Sequence, residues 1–511
     1  MKAHLSPAQT KNIFMAMQRR PFLFLLIVVL IAVIAMPVSA QNWPDPGIGN
    51  TYTELVNKTA DSATVLLSYY DAAGALHDGP KQTIPGNGSM VIDPEKMTIP
   101  PEFAGVSSYA SDQPLAVVVK TLWKEGSGDG LQMGLYSGVN DPSSKLCFPS
   151  LWKVEGRILS RIVVQNTDSI PVTLSIAYKN RDGADAGIFS DTLAAGAAKT
   201  YDLARPGDAI PDLPNDWEGS AIVSTNGSSS LAGVAIVSYG REDPRRARSA
   251  AYNAVDCAGR SGLTMLQAPT QFRVKRTDGN WVMWSALNIQ NLENIDAAVT
   301  IRYTPRQASQ PDLLLNETIP ANGDLGLNTR TGGNEDAGAF ESLGDNWDGS
   351  VTITSDRAIA ATVITQWDRN GYVESGIYET IDDLAFHTTL FAPDIKRIKD
   401  HETWREWSAV IVQNMGSKPA DVTILFYDRM GEEKLKLEHE QIGPSAAMGY
   451  NLRNGGSKPP AAFDPLGDDF EGHAVVISNN DQPLGVVLNH ILRPNDDPFQ
   501  GASGVTNAIF Q

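Results

Sequence analysis

The chain has 511 residues, of which 42% are hydrophobic and 20% charged, with a formal net charge of −18. An acidic surface of this size repels nucleic-acid phosphates and anionic membranes. Two cysteines in so long a chain exclude a small disulfide scaffold, so the cores have to be apolar ones.

Arg19 and Arg20 precede an uncharged apolar run from Phe22 to Met36, then Pro37 and the small-residue step Val38-Ser39-Ala40. This pattern predicts a secretory signal peptide over residues 1–40. The apolar run is 15 residues long, short of the roughly 20 that span a bilayer. No later segment has the length and apolarity to span, so no transmembrane segment is expected in the mature chain. Loss of Lys2, Lys11, Arg19 and Arg20 takes the formal charge from −18 to −22. The expected location is secreted, extracellular or at a cell surface.

Four short apolar strands end in asparagine: "ELVN" at Asn57, "VVQN" at Asn166, "NIQN" at Asn291 and "IVQN" at Asn414. Eight, ten and twelve residues after each stand Val65, Leu67 and Tyr69; Leu174, Ile176 and Tyr178; Val299, Ile301 and Tyr303; Val422, Ile424 and Phe426. Apolar positions at period two predict a strand with one buried face. An aromatic-x-Gly step follows in each copy, at Phe103, Trp217, Trp347 and Phe470, and predicts a bulge or tight turn into another strand. A Val-rich run comes next, written "DQPLAVVV" from Asp112 and "DQPLGVVL" from Asp481. Tyr-centred segments "GLYSGV", "AAYNAV" and "GIYETI" end the first three copies. The next copy then opens on Leu-x-x-Pro (Leu146 to Pro149, Leu266 to Pro269, Leu390 to Pro393), followed by a basic cluster such as Lys396, Arg397 and Lys399.

These markers predict an all-β protein of four tandem immunoglobulin-like β-sandwich domains, arranged as beads on a string after the signal peptide: residues 41–142, 143–258, 259–384 and 385–511. The periods, more than twice the length of a propeller blade, exclude a β-propeller of single-repeat blades. The layout resembles secreted bacterial proteins with tandem immunoglobulin-like sandwich repeats, in which "V-Q-N", an aromatic-x-Gly-Ser step and "S-D-Q-P" recur. The resemblance covers the mature chain, except that repeat 1 lacks the Leu-x-x-Pro strand and repeat 2 the Asp-Gln-Pro corner. It implies a cell-surface or extracellular role and transfers no catalytic residue.

Cys147 and Cys257 flank repeat 2, so a bridge between them would staple that repeat, with two separate buried thiols as the alternative. No His-Glu-x-x-His, nucleophile elbow or phosphate-binding loop is present, so no catalytic or metal-ligating residue and no cofactor are expected. The acidic loops "GDNWDG" and "LGDDFEG" offer oxygens to calcium without the alternation of an EF-hand. Trp152, Trp281, Trp284, Trp367, Trp404 and Trp407 stand near the repeat junctions, either packed between neighbours or presented to a ligand such as polysaccharide. The basic clusters are edge-strand charges that discourage aggregation or contacts to the acidic loops of the preceding repeat. The function expected is a non-enzymatic structural or adhesive surface protein whose partners are other surface proteins or itself; a polysaccharide-binding module is the alternative.

Overall fold

The structure is a computed structural model that describes residues 43–44, 47–97, 99, 103–124, 131–205, 212–227, 229–240, 248–307, 309–369, 372–382, 387–494 and 501–510. The expected signal peptide lies outside the described residues. Residues from Trp43 onward form one compact unit. Among the described residues no helix is long and apolar enough to cross a membrane.

The protein is all-β, and its strand ladders among the described residues are antiparallel. The predicted period-two positions form the inward face of one strand per repeat: Ala63–Asp71, Val172–Asn180, Ala297–Pro305 and Ala420–Asp428, here called tyrosine strands. Val65, Ile176, Ile301 and Ile424 on that face are fully buried.

The recurrent asparagines end a second class, the asparagine strands Ile48–Asn57, Ile158–Asn166, Trp281–Asn291 and Thr403–Asn414. Each asparagine is fully buried and does the same two things. Its Nδ2 donates to the carbonyl four residues on, at Asp61 (2.6 Å), Ile170 (2.8 Å), Ile295 (2.7 Å) and Lys418 (2.6 Å). It also donates to a second loop, at Pro85, Ala194, Pro320 and Ile442. Its Oδ1 accepts from the main-chain N–H two residues on. One side chain thus satisfies two turns that have no ladder partner, which is why the residue type recurs while the flanking apolar residues drift.

The aromatic-x-Gly step leads into the glycine strands Gly105–Ser111, Asp216–Thr225, Asn346–Ser355 and Asp469–Ser478. The Val-rich runs are the valine strands Leu115–Lys124, Leu231–Tyr239, Ile359–Arg369 and Leu484–Leu492. The Tyr-centred segments give the exit strands Leu131–Ser137, Arg248–Asn253 and Tyr372–Glu379, with Ala502–Asn507 as the fourth. Leu-x-x-Pro lies in the entry strands Lys145–Val154, Thr264–Lys275 and Thr389–Asp400.

In repeats 2 to 4 the sheet order is the same: tyrosine, glycine, entry and asparagine strands, with the valine strand pairing on the asparagine strand and the exit strand on the valine strand. Repeat 1 has no entry strand among the described residues. Its strands therefore fall into two separate four-stranded sheets.

The expectation of beads on a string is corrected by the contacts between repeats. Each exit strand packs against the exit strands of both neighbours, and the last packs against the first, so the circuit closes. Small residues at these strands leave both faces to be covered: Ser249, Ala250 and Ala251 are all buried, as is Tyr252 beside them. The exit strands end at equivalent positions, Ser137, Asn253, Glu379 and Asn507, and these bond around the circuit. Ser137 Oγ donates to Asn507 O (3.0 Å), Asn253 Nδ2 to Ser137 O (3.0 Å) and Asn507 Nδ2 to Glu379 O (2.7 Å). The Glu379 carboxyl lies where the Asn253 N–H and side chain act on it and oppose its burial, on the remaining side of the circuit.

A second circuit runs outside the first. The turn after each tyrosine strand docks on the next repeat. A side chain at Gly74, Gly183 or Gly431, whose φ values are +85°, +85° and +83°, would run into the main-chain oxygen of Ala195, Ala321 or Gly86. The 3–4 junction uses Arg306, whose guanidinium lies against Gly449. The apolar cores respect this closure too, since Ile364 and Ile377 of repeat 3 belong to the core of repeat 2.

Candidate functional site

The main departure from the repeat pattern is the place where repeat 1 has no entry strand. In repeats 2 to 4 the glycine strand is paired on both sides, by the tyrosine and entry strands. In repeat 1 the glycine strand pairs, among the described residues, with the tyrosine strand alone. The register there, fixed by Asp112 N donating to Thr64 O, puts the N–H and C=O groups of Ser107, Tyr109 and Ser111 on the open side.

The gap opens a cleft of about 1580 Å³ between repeats 1 and 2. One wall carries Ser107, Tyr109 and Val119, and Tyr136 stands at the exit strand; Gln165 and Thr200 face them from repeat 2. Residues sealed elsewhere by an entry strand are half-uncovered here. Ala235, Val363 and Leu488 are fully buried, whereas Val119, at the same position, is half-buried. Tyr109 is likewise half-buried where Val223, Ile353 and Val476 are fully buried.

The exit-strand tyrosines mark the missing element most directly. Tyr252 Oη donates to Ser150 O, and Tyr378 Oη to Thr270 O, both at 2.8 Å; each acceptor follows the entry-strand proline. Tyr136 has no entry strand to reach among the described residues and turns its hydroxyl to Thr121. Burial pushes the Tyr136 and Tyr69 phenols up to about 12 and raises that of Tyr109, which donates to Thr53 Oγ1 at 3.0 Å. The cleft therefore presents hydroxyls, apolar side chains and, among the described residues, peptide groups without a ladder partner, with the carboxylates of Glu95 and Asp168 also in its lining.

The other junctions are fixed by charge. Arg181, Arg306 and Arg429 follow the tyrosine strands of repeats 2 to 4. Each pairs with the acid between aromatic and glycine of its own repeat: Glu218 (2.6 Å), Asp348 (3.2 Å) and Glu471. All three also reach the next repeat: Arg306 lies against Gly449, Arg181 O accepts from Asp324 N (2.9 Å) and Arg429 O from Ser89 N (3.1 Å). Repeat 1 has Ala72 and Ala104 at these two positions, so the 1–2 junction lacks both halves of the pair. The sequence carries this signal as "NRDG", "PRQA" and "DRMG" against "DAAG", joined with "WEG", "WDG" and "FEG" against "FAG".

At the junction that closes the circuit, Lys120 of repeat 1 enters repeat 4 and bonds Asp394 (2.9 Å) and Glu406 (3.3 Å). His490, fully buried, contacts the same two carboxylates at 3.1 and 2.6 Å. Burial alone would raise these carboxyls. The Lys120 ammonium, with His490 and Lys396, holds both below the usual carboxylate range. The cluster contains acids, a base and an amine, but they are paired with one another and closed off by packing.

Cys147 and Cys257 are joined, with an S–S distance of 2.10 Å, and tie the start of the repeat 2 entry strand to the chain beyond its exit strand. Trp152, Trp284, Trp367 and Trp407 are buried, and Trp281 and Trp404 half-buried. Arg330 lies 4.5 Å from the Trp284 ring and Arg453 4.5 Å from that of Trp407. Arg273 and Lys275 cover Trp281, and Arg397 and Lys399 cover Trp404. Among the described residues, the ion pairs of the basic clusters are not with acidic loops of the preceding repeat. The clusters turn to their own: Arg273 and Lys275 pair with Asp345 (3.1 and 2.8 Å), and Arg397 with Asp464 and Asp468 (3.1 and 2.9 Å). Carboxylates of the two loops considered for calcium are thus engaged by cations of the chain. Among the described residues no group of three or more His, Cys, Asp or Glu side chains is arranged to hold a metal.

No family model matches the chain, and no curated protein matches it. Among solved structures, one described as the triple jelly roll fold and turret assembly of an archaeal virus aligns at 12% identity. It covers 73% of this chain and 87% of that one, with a TM-score of 0.12. Dimeric latent PorU from Porphyromonas gingivalis aligns at 11% identity over 78% of this chain, with a TM-score of 0.13. This chain spans about a third of that protein's length, the alignment covering 32% of it. Likeness at these TM-scores carries no argument about fold or function.

Proposed function

We propose that the chain is a non-enzymatic structural or adhesive protein of the cell exterior, built from four immunoglobulin-like β-sandwich units that act as one rigid body. The observation that carries this reading is the closed circuit of exit strands, in which polar ends and small residues are used to hold repeats together. A spacer of independent units needs no such closure. The charged groups that could serve acid–base chemistry are absorbed in the ion pairs that close the circuit, which supports a structural use for them. The expected partners are surface proteins, including further copies of this chain. The six tryptophans named for a polysaccharide surface lie buried or beneath arginine and lysine, so the weight falls on protein assembly.

The test is solution scattering with light scattering on the purified protein, with and without calcium. The expected result is a compact particle whose maximum dimension is that of four units in a closed circuit. A particle as long as four units end to end would sink this reading, as would a hydrolytic activity abolished by changing Asp394 or Glu406.

A further inference from the structure

We propose that the open glycine strand of repeat 1 is an acceptor site for an extended segment of a partner polypeptide, which adds as a strand antiparallel to Gly105–Ser111 and completes the sandwich. This inference rests on the reading of the chain as an assembly protein and names the chemistry of its partner.

The chain itself shows three times what fills this place. In repeats 2, 3 and 4 the slot beside the glycine strand is taken by Lys145–Val154, Thr264–Lys275 and Thr389–Asp400. These strands share two properties that the repeat 1 cleft can receive, and those of repeats 2 and 3 have a third. They are buried along most of their length, as a chain passing between two sheets has to be. They carry a proline at a register shift, between Ala268 and Gln271 in repeat 3 and between Ala392 and Ile395 in repeat 4. The residue after that proline presents a carbonyl to the exit-strand tyrosine in repeats 2 and 3.

In repeat 1 the complementary groups are present, and among the described residues the strand is not. Ser107, Tyr109 and Ser111 offer main-chain donors and acceptors on the open side. Val119 and Tyr109 are half-uncovered, and Tyr136 holds the place of Tyr252 and Tyr378. Strand addition draws affinity from the peptide groups and specificity from the pockets for alternate side chains. The partner segment is therefore about ten residues long, apolar at alternate positions and uncharged where it crosses Val119. A proline, with a free carbonyl on the residue after it, completes the match to Tyr136.

The experiment uses the protein purified from expression of all 511 residues, its N-terminus read by mass spectrometry. The probe is a fluorescent peptide with the sequence of Thr264–Lys275. Its controls are a scrambled peptide and one N-methylated on the amides of a single edge, which cannot pair there. The expected result is saturable 1:1 binding of the native peptide, at least tenfold weaker for both controls and for the variant Val119→Lys. Slowed amide exchange at Ser107, Tyr109 and Ser111 on binding is expected with it. Equal binding of all three peptides, or none at millimolar concentration, would overturn the proposal. So would binding that Val119→Lys leaves unchanged while exchange slows elsewhere.

Two other occupants would also overturn it. If the peptide binds only after a retained N-terminal segment is removed, the chain fills its own slot. If it acts only by dissociating a dimer, a second copy does. A compact particle that takes no peptide leaves the structural reading standing and removes the acceptor site alone. An elongated particle that takes the peptide does the reverse.

Discussion

In repeat 4 the entry strand lies over Leu488, which is fully buried, and Arg429 clamps the repeat to its neighbour through Glu471 and Glu54. In repeat 1 the same positions hold a half-buried Val119, Ala72 and Ala104, with no strand above among the described residues. The two repeats share the asparagine clamp and the inward face of the tyrosine strand, so they share the core that makes a sandwich fold. They differ in the side that faces the 1–2 junction. A closed circuit can tolerate one loosely filled junction because the remaining contacts hold its ends in place, and that freedom is available for binding. Three predictions test how far the difference goes.

The largest effect is expected where repeat 4 meets repeat 1. Lys120→Ala removes the ammonium that Asp394 and Glu406 share and leaves two carboxylates buried near each other. Breaking one partner of a buried ion pair costs on the order of 3–5 kcal/mol, read as a lowered denaturant midpoint with an unchanged slope. The sign with pH is defined. Both carboxyls are held below their ordinary range, so their stabilisation is present above about pH 4.5 and is lost as pH falls through the depressed values. In Lys120→Ala that acid limb is expected to move to higher pH. A Lys120→Ala protein as stable as its parent would show that the circuit is not closed by this contact.

An intermediate effect is expected at the centre of the exit-strand circuit. Burial pushes the Glu379 carboxyl up to about 7, although its own N–H, Asn507 and Asn253 oppose the shift. The folded protein therefore binds a proton there that the unfolded chain has already lost. The contribution of Glu379 is complete below about pH 4.5 and declines as pH rises through about 7. Glu379→Gln, which keeps the shape and removes the charge, is expected to match the parent at pH 5 and to exceed it by about 1–3 kcal/mol at pH 8. Parallel stability curves across this range would mean that the carboxyl reaches solvent and the circuit is open at its axis.

Much of the fold was legible because its signals are local. The period of two in Val299, Ile301 and Tyr303 follows from one buried face, and the asparagines recur because Asn291 and its equivalents each join two loops. The absent Leu-x-x-Pro in repeat 1 already located the open edge. The closure of the circuit was not legible from those markers, because alternation reports burial within a sheet and not what lies on its far side. The relevant signal was the run of small residues in the exit strands, "SAAYN" and "ASGVTN", which lets both faces pack. Sequence distance alone sets the tryptophans near the junctions. In space Trp284 and Trp407 lie under arginines of their own repeats.

The smallest effect is expected from giving repeat 1 the clamp it lacks. Ala72 and Ala104 are both exposed, and their equivalents in repeats 2 to 4 are an arginine and an acid. The double substitution Ala72→Arg with Ala104→Glu is expected to give a coupling of about 0.2–1 kcal/mol in a double-mutant cycle, the size of a partly exposed pair. Each single substitution should be close to neutral, because neither side chain then finds its counterpart. The gain should shrink in high salt, since the pair lies at the surface. If the coupling is absent, the 1–2 junction is set apart by the missing entry strand and not by the missing charges. If it equals that of Arg181 with Glu218, the four junctions are equivalent in backbone geometry and the difference between repeats 1 and 4 lies in the open strand alone.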